Sequence, residues 1–184
     1  VLNMFVDSAL SGNVEDMEES LGTLMEDLSI RILKDEFPYE AFVTGLLASQ
    51  GGRYEITADR ESGNGYHDIR MKRIRGSGPS LVIEIKRRKA GDSSTEVLAS
   101  AALDQIEEKG YARGLEGDVI LYGIAFDGKV PTIRMRRARP SFRHRKSDSR
   151  IGSPDRVNET RPRRARRMSL TPRHRKAALR AVDD

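Results

Sequence analysis

The sequence has no cysteine and no tryptophan, and only three histidines, His67, His144 and His174. Without thiols there is no disulfide, no thiolate zinc site and no cysteine nucleophile, so any metal must be held by oxygen ligands. No apolar run reaches the roughly 18 residues needed to cross a bilayer. The opening VLNMFV lacks the charged start and long apolar stretch of a signal peptide. Neither membrane insertion nor export is indicated, and the expectation is an intracellular, cytoplasmic protein. The first residue is Val rather than Met, which fits a fragment of a longer chain.

Hydrophobic residues make up 37% of the 184 positions, too few for a chain folded throughout. The shortage is local. Residues 1–134 carry 16 Lys and Arg against 23 Asp and Glu, a balance of −7, whereas residues 135–184 carry 17 against 5, a balance of +12. The basic pI therefore belongs to the last segment, RRARPSFRHRKSDSRIGSPDRVNETRPRRARRMSLTPRHRKAALRAVDD, which is nearly free of large apolar residues. It cannot bury enough surface to offset its ordering entropy, so residues 137–184 are expected to be a disordered, arginine-rich tail. Such a tail suits an electrostatic arm for nucleic acid, and RRMS within it has the pattern of a basophilic kinase site.

Before the tail, periodicity gives an order of elements. NVEDMEESLGTLMEDLS spaces Val14, Met17, Leu21, Leu24 and Leu28 by three and four, with Asn13 as N-cap and acids in the first turn. DEFPYEAFVTGLLAS starts a second helix at Pro38, with Tyr39, Phe42, Val43, Leu46 and Leu47 on one side. From residue 52 the period falls to two: RYEITADR, YHDIRMKRI and SLVIEIK read as three strands, the last two separated by GSGP. SSTEVLASAALDQIEEKG then reads as a helix with a capping box of Ser93 and Glu96, a stripe of Leu98, Ala101, Ala102 and Ile106, and a stop at Gly110. VILYGIAF and VPTIRM, joined by DGK, close the domain as two more strands. The class is α/β, an α+β mixed sheet with helices packed on it. Three parts are expected: a helical extension at 1–34, acting as a linker from an upstream domain, a compact domain at 35–136, and the tail at 137–184.

Within the third strand, Glu84 and Lys86 project from one face and Ile83 and Ile85 from the other. An acid and a base two residues apart on a strand are ordinarily an ion pair on a solvated face. The neighbours argue otherwise. If the preceding strand aligns Asp68 beside Glu84, two carboxylates and a strand carbonyl make an oxygen-rich nest for Mg²⁺. A lysine beside that nest could hold a water and offset phosphate charge. The following helix also puts Gln105 on its apolar stripe, where a leucine would pack better, and Tyr111 comes directly after Gly110.

Asp68, then EIK at 84–86, then ALDQIEEKGY on a helix, resembles the PD-(D/E)XK nuclease superfamily. More narrowly, DEFPYEAFVTGLLAS, RESGNGYHDI, LVIEIK, ALDQIEEKGYA and YGIAFDGK, in this order, resemble the branch found C-terminal to AAA-ATPase-like domains. The resemblance spans roughly residues 1–134. It implies a restriction-endonuclease-like α-β-β-β-α-β core. It also implies a Mg²⁺-dependent nuclease, with Mn²⁺ as a substitute, that cuts DNA or RNA, and an AAA-ATPase-like domain upstream. By the same resemblance Asp68 and Glu84 are metal carboxylates, Ile85 lends its main chain, Lys86 is the active-site lysine, and Gln105 and Tyr111 face the site. Glu36 in the E-x-x-Y that opens the helix matches a further metal acid of some members. Two departures stand out: His67 replaces the eponymous proline before Asp68, and Glu40 stands where the branch often has histidine. The competing function is a non-catalytic regulatory or binding module attached to an ATPase.

Overall fold

A computed structural model of the chain describes residues 1–62 and 65–138. The arginine-rich segment beyond residue 138, with the disorder, nucleic-acid arm and kinase site expected of it, lies outside the described residues. The element order is α1 (Leu2–Ser11), α2 (Val14–Met25), α3 (Phe37–Leu47) with a 3₁₀ turn (Ala48–Gln50), β1 (Tyr54–Ser62), β2 (Gly65–Arg73), β3 (Ser80–Arg87), α4 (Thr95–Lys109), β4 (Val119–Asp127) and β5 (Val130–Ala138). This is the mixed α+β architecture expected. The five strands form one sheet in sequence order, β1-β2-β3-β4-β5. All neighbours are antiparallel except β3 and β4, whose parallel pairing requires the α4 crossover between them. β5 continues two residues past 136, because Arg137 and Ala138 still pair with Ile120 and Val119.

Alternation on the strands divides the core in two. Ile69, Met71, Leu81, Ile83, Ile85, Ile120, Tyr122, Ile124 and Phe126 pack with residues of α1, α2 and α3, including Phe5, Leu21 and Tyr39. Val82, Val119 and Leu121 face the other way, against Leu103 and Ile106 of α4 and Tyr111 and Leu115 after it. Because both faces of β3 and β4 are covered, those strands read as continuous apolar runs. Asn13 caps α2 as expected, accepting from Asp16 N–H at 3.3 Å. On the helical face Tyr39 stacks on Phe126 with ring centroids 4.4 Å apart, and its hydroxyl donates to Gly128 O at 2.8 Å. No described helix is long and apolar enough to cross a membrane.

Helix α4 departs from the expected stripe. The residues it buries are Ala99, Ala102, Leu103 and Ile106, while Leu98 is half-buried and Ala101 exposed. The reason lies in β4: a Cβ built on Gly123 would stand 2.0 Å from Ala99 O, 2.9 Å from Leu103 N and 3.1 Å from the Ala102 Cβ. The helix backbone rests directly on the glycine, and only small side chains fit between them. Its cap is also shifted by one. Ser94, not Ser93, accepts from Val97 N–H at 3.5 Å, and Ser93 gives its carbonyl to Arg88 Nε at 3.2 Å. Gly110 ends the helix in the left-handed conformation, φ 70°.

Candidate active site

The β2–β3 ladder runs Met71↔Leu81, Arg70↔Val82, Ile69↔Ile83. One step further stand Asp68 and Glu84. There the ladder gives way to a side chain, with the Asp68 carboxylate accepting the Ile85 N–H at 2.6 Å. That bond fixes the carboxylate beside the main chain of the residue between Glu84 and Lys86. On the other flank β3 remains fully paired, Glu84 opposite Gly123 and Lys86 opposite Ala125. These small residues on β4 let α4 approach closely enough for Gln105 to reach the strand.

Glu84 is 1% exposed, an extreme value for a carboxylate in a sheet. Its Oε1 accepts from Lys86 Nζ at 2.8 Å and from Gln105 Nε2. Its Oε2 is buried and has no hydrogen-bond partner. Burial pushes the Glu84 carboxyl up to about 7, the Asp68 and Glu36 charges push the same way, and Lys86 pulls against them. Burial draws the Lys86 pKa down, but the Glu84 bond and the surrounding acids more than offset it, leaving Lys86 raised and firmly cationic. Four sequence-marked residues, Asp68, Glu84, Lys86 and Gln105, thus converge around two strands and one helix.

Glu36, Tyr111 and His67 stand nearby in different ways. Glu36, the residue before α3, accepts the Arg87 N–H through Oε1 at 3.3 Å. It caps the end of β3, and among the described residues no three acidic or histidine side chains close into a metal-holding group. Tyr111 is 2% exposed and belongs to the core under α4, its ring edge-on to His67 at 6.2 Å. His67, noted in sequence only as the substitute for a proline, is buried, and its Nε2 is 3.1 Å from Thr57 Oγ1. Its place beside Asp68 and its exchange of a proline are visible in the sequence, but its burial depends on Tyr111, more than forty residues on, which no local pattern announces.

A family model described as the PD-(D/E)XK nuclease superfamily matches residues 34–135. The chain belongs to the PD-(D/E)XK nuclease superfamily. No curated protein matches the chain. Nucleases of this superfamily typically use divalent metals, and the residues of this member fit such an ion. The donors are hard oxygens, two carboxylates and a main chain. The orphaned, buried Glu84 Oε2 is the kind of acceptor that a cation would satisfy.

Proposed function

We propose that this domain hydrolyses nucleic-acid phosphodiesters, DNA or RNA, with Mg²⁺ or Mn²⁺ held by Asp68, Glu84 and the main chain of Ile85. When bound, the ion would neutralise charge developing on the phosphate and lower the pKa of a water. The observation that carries the reading is the convergence of Asp68, Glu84 and Lys86 at the break in the β2–β3 ladder, with one Glu84 oxygen buried and unsatisfied. Lys86, a quarter exposed at its side chain, is the group of the set that can reach both Glu84 and solvent. It holds the attacking water and faces the phosphate, while Gln105 fixes the Glu84 carboxylate from α4. Glu36 tethers the end of β3 and would be a third acid for the cation, beside Asp68 and Glu84. The order of motifs supports an AAA-ATPase-like domain upstream as partner.

The test is cleavage of labelled single- and double-stranded DNA and RNA by the full chain, with Mg²⁺, Mn²⁺ or EDTA. Asp68→Ala, Glu84→Gln and Lys86→Ala should each abolish cleavage, and only the first two should abolish stabilisation by the ion. A wild-type chain that neither responds to Mg²⁺ or Mn²⁺ nor cuts any of the four substrates would instead be a binding or regulatory module.

A further inference from the structure

The arginines of this domain are of two kinds. Arg88 pairs with Asp127 at 2.7 Å, and Arg136 pairs with Glu107 and, at 3.8 Å, with Asp104. Arg70 and Arg73 bond only neutral main-chain oxygens: Arg70 Nη2 donates to Arg113 O at 2.9 Å and Arg73 Nη1 to Gly78 O at 2.5 Å. Arg113 is exposed, and no carboxylate among the described residues pairs with Arg70, Arg73 or Arg113. A carbonyl acceptor fixes a guanidinium in position and leaves its charge uncancelled. Arg53, Arg87, Arg134 and Arg137 also donate to main-chain oxygens without an ion pair among the described residues. In a domain whose balance is −7 over residues 1–134, what sets Arg70, Arg73 and Arg113 apart is that they gather at one loop.

They also share a place. Arg70 pairs with Val82, whose side chain lies on the α4 side of the sheet, and stands about 7 Å along β2 from Asp68. Helix α4 covers β3, β4 and β5, and the loop after it runs beside β2, where Tyr111 meets His67 and Arg113 O accepts from Arg70. Arg73 leaves β2 on the other face, with Met71, and its head lies at Gly78 O and against Gly117 of the same loop. The loop after α4 is cut back to receive the guanidiniums. Each lies over a left-handed glycine: a Cβ at Gly110 would stand 2.6 Å from Arg113 Nε, at Gly117 3.1 Å from Arg73 Nη2, and at Gly114 3.9 Å from Arg70 Nη2. Side chains on those glycines would crowd the row. Part of the Arg70 head is buried without a bond, its Nε having no partner.

We propose that Arg70, Arg73 and Arg113 form a phosphate track that holds a nucleic-acid strand along the 110–117 loop beside β2 and leads it to the Asp68–Glu84 cleft. The direction of the strand rests on the nuclease reading; the track itself does not. Guanidinium forks suit backbone phosphates, which carry no sequence information, so the track binds without base preference.

The test is fluorescence anisotropy of a labelled single-stranded DNA oligonucleotide and its duplex with the full chain in EDTA, between 50 and 200 mM salt. The segment after residue 138 is present in every variant and cancels in the comparison. The triple variant Arg70→Gln/Arg73→Gln/Arg113→Gln should lower the slope of log K against log salt by about 2 to 3, at roughly 0.7 to 0.9 for each phosphate that is no longer neutralised. Arg113→Gln alone, an exposed change that leaves packing untouched, should lower it by about 1. The paired arginines are the control, and Arg88→Gln/Arg136→Gln should change the slope by less than half as much as the triple variant. Equal losses from both sets, or an unchanged slope in the triple variant, would overturn the track. If wild type cuts nothing but the triple variant loses its slope, the nuclease reading fails and the track stands. If wild type cuts and the slope is unmoved, the reverse holds.

Discussion

In metal-free protein, Glu84→Gln should stabilise the fold far more at pH 8 than at pH 5. The Glu84 carboxyl is pushed up to about 7 from an ordinary 4.5 by burial, by the neighbouring Asp68 charge and by Glu36, against the pull of Lys86. A carboxyl whose folded value lies above its unfolded value favours folding while protonated. Its destabilisation begins as pH passes the unfolded value and is complete above the folded one. Over that window the 7 − 4.5 = 2.5 unit difference corresponds to about 3 kcal/mol at 1.36 per unit. In the wild type Lys86 does not titrate over this range. Its pKa is raised, so its contribution is fully present below the ordinary lysine value and is lost only above it. Glutamine keeps the shape and an acceptor for Lys86 and Gln105 but cannot ionise. Urea unfolding in EDTA, followed by circular dichroism at both pH values, gives the variant-minus-wild-type difference free of the other titrating groups. With a urea slope of about 1–3 kcal/mol/M, the difference in midpoint should grow by roughly 1–3 M from pH 5 to pH 8. A difference that does not change with pH would mean that Glu84 does not carry a buried charge at pH 8, and its orphaned oxygen would no longer point to a cation.

Other outcomes follow from the same geometry. Mg²⁺ at a hundred times its dissociation constant should raise wild-type stability by about 2.7 kcal/mol at pH 8. Asp68→Ala and Glu84→Gln should remove that gain in a thermal-shift titration and Lys86→Ala should keep it. Gly123→Ala should destabilise by about 3 kcal/mol or more, since its Cβ would stand 2.0 Å from Ala99 O and drive α4 off the sheet. Because α4 carries Gln105, cleavage should fall with it. Tyr122→Phe should lose about 1–2 kcal/mol in chemical denaturation by removing the buried bond from the Tyr122 hydroxyl to Ala9 O, 2.7 Å.

How far the sequence can be read depends on range. Segments with strong patterns, such as SLVIEIK and NVEDMEESLGTL, are legible because a short apolar run marks a strand covered on both faces and a spacing of three and four marks a helix covered on one. The adjacency of Asp68 and Glu84 is legible too, since the short Gly76–Pro79 turn leaves antiparallel pairing as the simple route between their strands. What escapes depends on another element's backbone. The stripe of α4 is set by Gly123, on the strand that follows it, and the cap sits at Ser94 while Arg88 takes the Ser93 carbonyl. Glu36 is marked as an acid near the site by a resemblance alone; that its carboxylate ties down the Arg87 N–H is a matter of where α3 enters, which its own letters do not encode.

The position of the site follows from a conflict in the sheet. β3 must pair on both sides, with β4 in parallel through Arg87 and with β2 in the opposite sense. The pairing with β4 holds along the whole strand, so β3 is fixed from that side. The pairing with β2 stops at Ile69↔Ile83, and the next inward N–H, that of Ile85, would be a buried donor without a partner. Asp68 supplies the acceptor from its side chain at 2.6 Å. One group therefore satisfies the backbone at the break and brings a negative charge against Glu84. An asparagine at 68 could keep the hydrogen bond and lose the charge. The choice of a carboxylate, placed where it raises the Glu84 pKa, works against the stability of the metal-free fold. Two carboxylates brought together where the sheet opens, one of them buried and with its pKa raised, mark this point as a functional site under the nuclease reading proposed above, with Lys86 offsetting part of their charge.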